Sequence, residues 1–233
     1  KIENNITFLG NTKDYFDTST LYMNLSYQRV VYSGKFNACI DTSNEINLIV
    51  IPYINNKLNL PDQSICEGDK PQPLNCNPAS GGSGSFSYTW YKREKDSSWS
   101  IAYGLSNQYS YEPPKLFKPT YFIRKVKSDI CTSFSDTVFI DVIEKIQNNF
   151  IFNTDNKVYK CFNTPDNVLA TFPLGGRNND FAYKWFISND GFTWIEDNIN
   201  QNKDYYNTFT DTLYIKRIVY STSTKKECSD TSN

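Results

Sequence analysis

Histidine is absent from the 233 residues, and methionine occurs once. Without histidine the chain lacks the commonest general base, the commonest metal ligand and the one side chain that titrates near neutrality when unperturbed. Ser-His-Asp triads, Cys-His pairs and most zinc sites are thereby excluded. An excess of one charge is missing too: 24 Lys and Arg stand against 25 Asp and Glu, for a net charge of −1. No basic stripe accumulates, so capture of nucleic acid or of an anionic membrane by charge is not expected. No apolar run approaches the roughly 18 residues that a membrane span requires, so direct membrane insertion is not expected either. The opening KIENNITFLG lacks the architecture of a signal peptide, and the chain reads as an interior window of something longer.

What is abundant is aromatic: 17 Tyr and 16 Phe. Aromatic and β-branched enrichment without long helical patterns argues for an all-β chain. Length alone admits one large domain or two to three of about a hundred residues. Comparing the chain with itself decides between them. Phe86, Tyr88 and Trp90 recur 95 residues later as Phe181, Tyr183 and Trp185, Trp99 as Trp194, and Cys66, Leu74 and Pro78 as Cys161, Leu169 and Pro173. The same step takes Tyr111 back to Phe16 and forward to Tyr206, and Arg124 back to Arg29. It slips elsewhere, to 93 between Arg124 and Arg217 and to 97 between Cys131 and Cys228, as loops tolerate.

A period of about 95 predicts tandem immunoglobulin-like antiparallel β-sandwich modules. The chain then divides into the C-terminal half of one module (1–53), a complete module (54–145) and a module lacking its last strand (146–233). A half-module cannot bury its sheet face alone, so residues 1–53 are expected either to depend on the neighbour or to have lost upstream partners. In FSYTWY, Phe86, Tyr88 and Trp90 alternate with Ser87 and Thr89, the pattern of a half-buried strand, and FAYKW repeats it. Val138, Ile140 and Val142 answer Ile46, Leu48 and Val50, and both sets are expected to point inward. Gly81-Gly82 and Gly175-Gly176 before each Trp strand supply turn chemistry. Arg124 shares a strand face with Phe122 and Val126, as Arg217 does with Ile215 and Val219 and Arg29 with Tyr27 and Val31. An arginine in such a row is expected to snorkel to the rim or to meet a carboxylate, as an architectural feature.

Of the six cysteines, Cys161 and Cys228 belong to the third module, and their counterparts in the second are Cys66 and Cys131. The repeat predicts one disulfide per module, Cys66–Cys131 and Cys161–Cys228, with Cys39 and Cys76 unpaired. A rival keeps Cys76 as the early partner, because it lies 14 residues before Trp90, closer to the usual immunoglobulin spacing than the 24 from Cys66. No CxxC spacing is present and histidine is lacking, so a metal site is not expected. Disulfides imply an oxidising compartment.

The series ICEGDKPQPL, PASGGSGSFSYTWYKRE, WSIAYGLSNQYSYEPPKL, PTYFIRKV and ICTSFSDTVFIDV resembles the repeats of the SprB-type gliding-motility adhesins of Bacteroidetes. CFNTPDNVL, GGRNNDFAYKW, SNDGFTW and LYIKRIV continue the likeness in the third module, as do YQRVV and ACIDTSNEINLIVI in the first. The departures are the extra Cys76 and Phe162-Asn163 where Glu67-Gly68 forms a CxG turn. The resemblance implies type IX secretion, display on the outer membrane exterior, and a role in adhesion and gliding. The partners it implies are an extracellular surface or polysaccharide and other surface adhesion or motility proteins.

Sharper chemistries fit less well. SNDGFTW resembles the Asp-box of sialidase propellers but is one residue short, and a propeller would repeat at about half the observed period. Trp99, Tyr103 and Trp194 lie near hairpin turns and are the candidate platforms for a sugar ring. The plainer reading, that Trp99 and Trp194 cap the sandwich core, is preferred. DTSNE and SNDG read as turn residues rather than calcium ligands, since no EF-hand spacing is present. Thr137 and Thr212 stand in Asp-Thr-aliphatic triplets that resemble the O-glycosylation sequon of the same bacterial group. No carboxylate pair recurs beside an insertion, so neither enzyme activity nor a cofactor is expected.

Overall fold

Aromatic alternation and Gly-rich turns build strands throughout. In the computed structural model, which describes residues 20–152, 157–221 and 228–233, every regular element is a β-strand except one short 3-10 turn at Lys35–Asn37. Phe16 and the rest of residues 1–19 lie outside the described residues. The chain divides into two compact units, Lys1–Pro52 and Tyr53–Asn233.

The first unit holds two antiparallel ribbons. Strand β1 (Leu25–Tyr27) pairs with β4 (Ile46–Leu48), and β2 (Val30–Ser33) pairs with β3 (Cys39–Thr42). Ile46 and Leu48 are 58% and 40% exposed, so the expected inward face is uncovered there. Arg29 is likewise exposed. Among the described residues no second layer covers these strands.

The second unit contains two sandwiches in sequence. The first comprises β5 (Gln63–Cys66), β6 (Ser87–Glu94), β7 (Ser100–Ile101), β8 (Thr120–Ser128), β9 (Cys131–Phe134) and β10 (Val138–Gln147). Its main sheet runs β7-β6-β8-β10, with β9 also on β8 and β5 joining β10 in parallel. Facing it, Leu74 and Tyr111 exchange both backbone hydrogen bonds, at 2.7 and 3.1 Å. Between the layers lie Leu58, Ile65, Leu74, Trp90, Tyr111, Phe122, Val138 and Ile140, all buried. Trp90 stacks on Tyr111 at 5.6 Å between ring centroids, and its indole N–H donates to the Gln108 carbonyl at 3.0 Å. A central Trp on the third strand, a short facing ladder and a parallel first strand on the last make this an immunoglobulin-like sandwich.

The second sandwich repeats the plan. Strands β13 (Phe181–Ser188), β14 (Ile195–Asp197), β16 (Tyr214–Ser221) and β17 (Cys228–Thr231) form a sheet in the order β14-β13-β16-β17. Strands β11 (Pro165–Val168) and β15 (Tyr205–Thr208) form the facing pair, and β12 (Leu174–Gly176) pairs instead with β10 of the preceding sandwich. Its core is smaller: Ile151, Val168, Ala170, Trp185 and Tyr205.

The sandwiches revise the sequence alignment by one residue on the facing layer. Val168, not Leu169, answers Leu74, and Tyr205, not Tyr206, answers Tyr111, because these are the paired and buried residues while Leu169 and Tyr206 are exposed. Cys76 thereby answers Ala170 rather than Thr171: the backbone N–H of each is held by the side chain 34 residues on, Ser110 and Asp204. Cys76 occupies a small buried apolar position, and burial pushes its thiol pKa up.

Burial also raises the phenols of Tyr111 and Tyr205 to about 12. Since the unfolded value is about 10, the stability they contribute is complete below about 10 and is lost as pH rises towards 12. Alkaline titration of tyrosinate absorbance is expected to show a late step coincident with unfolding. Tyr111→Phe or Tyr205→Phe is expected to shrink that step, and a titration unchanged by either variant would contradict the assignment.

Candidate functional site: the junction between sandwiches

Strand β10 is long enough to serve two sandwiches. Its residues 140–143 carry β5 in parallel, while Glu144 and Gln147 pair with Gly176 and Leu174 of β12. The Gly-Gly pair makes this possible. Gly175 has φ +82, and a Cβ there would sit 2.3 Å from the Lys145 carbonyl oxygen. Gly81 does the same one module earlier, with φ +83 and the Tyr53 carbonyl oxygen 2.0 Å from a would-be Cβ. Both pairs are therefore docking points on the segment that leads into their sandwich, as well as turns. The next backbone N–H donates to a fully buried serine in each case, Ser83 to Ser128 at 2.9 Å and Arg177 to Ser221 at 2.7 Å. Gly175→Ala is expected to cost more than about 1 kcal/mol and to loosen β12 from β10. Faster reduction of the junction disulfide by dithiothreitol would report this.

That disulfide joins Cys66 to Cys228 across the junction, with Cα atoms 5.7 Å apart. Cys131 and Cys161 carry no disulfide, and neither do Cys39 and Cys76. The expected bonds within modules are therefore replaced by one between them, and the register explains why. Cys66 lies beside Ile143, five residues along β10 from Val138. Cys131 lies beside Ser128, six residues along β8 from Phe122, in the opposite direction. Val138 and Phe122 are directly opposite, so the two cysteines sit at opposite ends of the sheet, roughly 36 Å apart at about 3.3 Å per residue. A disulfide tolerates a Cα separation of about 7 Å at most.

Beside the bridge, Arg177 pairs with Asp141 over a cleft of about 340 Å³ that Glu144, Gly176 and Asn178 also line. Glu67 clamps the other side of β10, donating its N–H to the Ile143 carbonyl at 2.8 Å and accepting from the Lys145 N–H at 2.9 Å.

In each sandwich the leading segment is pinned to the core by the repeated arginine. Arg124 and Arg217 are 0% exposed, so neither snorkels; Asp136 and Asp204 act on them through space, but their hydrogen bonds go to other groups. Arg124 donates to Asn56 Oδ1 at 2.8 Å and to the carbonyls of Asn77 and Tyr109 at 3.0 and 2.6 Å. Arg217 donates to Asn149 Oδ1 at 2.9 Å and to the carbonyls of Thr171 and Lys203 at 3.1 and 2.8 Å. Each guanidinium lies against the aromatic pair of its Trp strand, Tyr88 and Trp90 or Tyr183 and Trp185. Burial lowers both arginine pKa values, yet an arginine remains protonated in a protein. Asn56 and Asn149 escaped the sequence reading, although each precedes its arginine by 68 residues. A serine completes the seat: the backbone N–H groups of Arg29, Arg124 and Arg217 donate to the hydroxyl oxygens of Ser43, Ser135 and Ser232, each at 2.9 Å.

The candidate sugar platforms occupy outer faces, not the core. Trp99 is 40% exposed and lies over the Arg93 guanidinium, which also covers Tyr121; Tyr121 packs on Phe139 at 4.6 Å. The row crosses strands because Arg93 is opposite Tyr121 and Tyr121 opposite Phe139. Trp194 is half-buried under Lys216, and Tyr103 is exposed under Lys92. Neither Trp99 nor Trp194 belongs to a core cluster, so the capping expectation is corrected. Thr137 and Thr212 are both exposed.

In the SNDG turn, Asp190 accepts the N–H groups of Phe192 and Thr193 and the Ser188 hydroxyl, which together hold its carboxyl far below the usual range. Among the described residues no group of three Cys, Asp or Glu is placed to hold a metal ion, and no helix is long and apolar enough to cross a membrane.

A family model described as a domain of unknown function (DUF8696) matches residues 58–144, the first complete sandwich. No curated protein matches the chain. Among solved structures, the chain is similar to Sidekick-1 immunoglobulin domains 1–5, at 18% identity and a TM-score of 0.35 over 78% of this chain and 36% of that one. Domains 1–4 of Sidekick-1 give 19% and 0.35 over 78% and 45%. Extracellular domains 3–5 of Drosophila OTK give 8% and 0.39 over 89% and 69%. The chain spans less than half the length of either Sidekick-1 structure.

Proposed function

We propose that the chain is a repeat segment of a secreted cell-surface adhesin, a filament spacer or multivalent contact in surface adhesion and gliding motility, and not an enzyme. Its modules run over 1–53, 54–145 and 146–233. The observation that carries this reading is repetition: the same Gly-Gly docking, buried serine and pinned arginine recur in both sandwiches, and the junction between those two is closed covalently. Such construction serves spacing, and weak contacts repeated along an array gain strength through avidity. The SprB-type resemblance supports placing the array outside the outer membrane, as does the disulfide for an oxidising compartment. The test is binding of the chain to surface polysaccharides, first as free protein and then coupled densely to beads. The expected result is adhesion only at high density, and micromolar binding of one glycan by the free chain would replace spacing with recognition.

Recognition has its own supporting observation, the outward row Trp99, Arg93, Tyr121 and Phe139, with exposed Tyr103 and half-buried Trp194 elsewhere. Under that reading Trp99→Ala abolishes glycan binding by the free chain without unfolding it.

A further inference from the structure

We propose that the Cys66–Cys228 bond is one rung of a rule that links each module to the next, early cysteine to following late cysteine. Under this rule Cys161 is the acceptor for the late cysteine of a following module of the same kind, and Cys131 for the early cysteine of a preceding one. The inference deepens the tandem-module reading and rests on it.

Equivalence of position carries the rule. Cys131 and Cys228 each open the strand after a hairpin, opposite Ser128 and Ser221, the two buried serines that hold the Gly-Gly docking turn. Cys228 therefore stands at the end of its module that meets the preceding sandwich, and Cys131 stands at the equivalent end of its own. Cys66 and Cys161 each enter a tight turn whose second following residue has positive φ, Gly68 at +85° and Asn163 at +53°. Asn163 does here what glycine does in the second module, as asparagine tolerates the left-handed region. Both turns are tied to the same place, Gly68 N–H to the Leu116 carbonyl and Asn163 N–H to the Phe209 carbonyl, each at 2.8 Å. Cys161 is thus seated as Cys66 is, at the opposite end from its own late cysteine, and it is exposed. Cys228 is already bonded to Cys66, and the shared seat of Cys66 and Cys161 puts Cys161 at the far end of its module from Cys228, so a partner for Cys161 comes from the next module.

Each rung forms by oxidation of two thiols: one sulfur–sulfur bond is made, and two protons and two electrons pass to an external disulfide such as oxidised glutathione, which becomes two thiols. The test extends the full chain by appending a second copy of residues 137–233 after Asn233, which supplies the third module with a last strand and a following module. Refolding in a glutathione buffer, alkylation and peptide mapping are expected to show Cys66–Cys228 and a new bond from Cys161 to the appended copy of Cys228. Cys66–Cys228 formed with that appended cysteine still alkylated, or bonded within its own module, overturns the proposal. In the unextended chain, Cys66→Ser is expected to leave Cys228 open to alkylation, and a Cys161–Cys228 bond in that variant overturns the proposal even if the extension fails to fold. Failure of the adhesion experiment leaves both outcomes unaffected.

Discussion

Arg124→Met is expected to destabilise the first complete sandwich by about 3–5 kcal/mol, because it takes the donor from Asn56 Oδ1 and from the carbonyls of Asn77 and Tyr109, at about 1–3 kcal/mol each. A typical domain has only about 5–15 kcal/mol in all, so most of the margin is lost. Arg217→Met acts alike on the second sandwich through Asn149, Thr171 and Lys203. Lysine does not restore stability at either position, since a point charge cannot reproduce the planar fork that spans these acceptors. Urea denaturation followed by tryptophan fluorescence measures the loss. A change under about 1 kcal/mol in both variants would show the network to be incidental.

The second large effect is Trp185→Ala, which empties the centre of a core with only four other buried apolar members. Removing a buried tryptophan costs about 3–5 kcal/mol. The indole also stacks against Tyr205 at 5.2 Å and donates to the Asn202 carbonyl at 2.8 Å, which loses its donor. We expect the second sandwich to unfold while the first, with its larger core, stays folded. Loss of near-ultraviolet circular dichroism in two separated steps would display this. Trp99→Ala is the control on the outer face, with an expected change within about 0.5 kcal/mol. A single cooperative transition in Trp185→Ala would mean that the junction transmits more stability than its contacts suggest.

The all-β class and the tandem sandwiches were legible because Phe86, Tyr88 and Trp90 and their copies alternate at period two, and period is what a pleated strand displays. The facing layer was read one residue out of step. Leu169 and Tyr206 preserve residue type better than Val168 and Tyr205, whereas burial selects position rather than identity. The cysteines misled for a related reason. Repetition shows which residues correspond between modules, but two residues that correspond in every copy can still stand at opposite ends of each, and only strand register reveals it. The arginine was recognised as architectural and given the wrong partners. A search for carboxylate partners overlooked that carbonyl oxygens, one asparagine and two aromatic faces take the direct contacts of the guanidinium, leaving Asp136 and Asp204 to act at a distance. Asn56 and Asn149 carried a readable signal, the shared spacing to the arginine, hidden by a leading segment that has no strand pattern.

The parallel pairing of β5 with β10 bears on how tension passes along the chain. A pull applied through the segment before β5 and the segment after β10 draws two parallel strands past one another lengthwise. Their hydrogen bonds then share the load and yield together, instead of opening one at a time like a zip. Because β10 continues into the contact with β12, the next sandwich grips the strand that transmits the force.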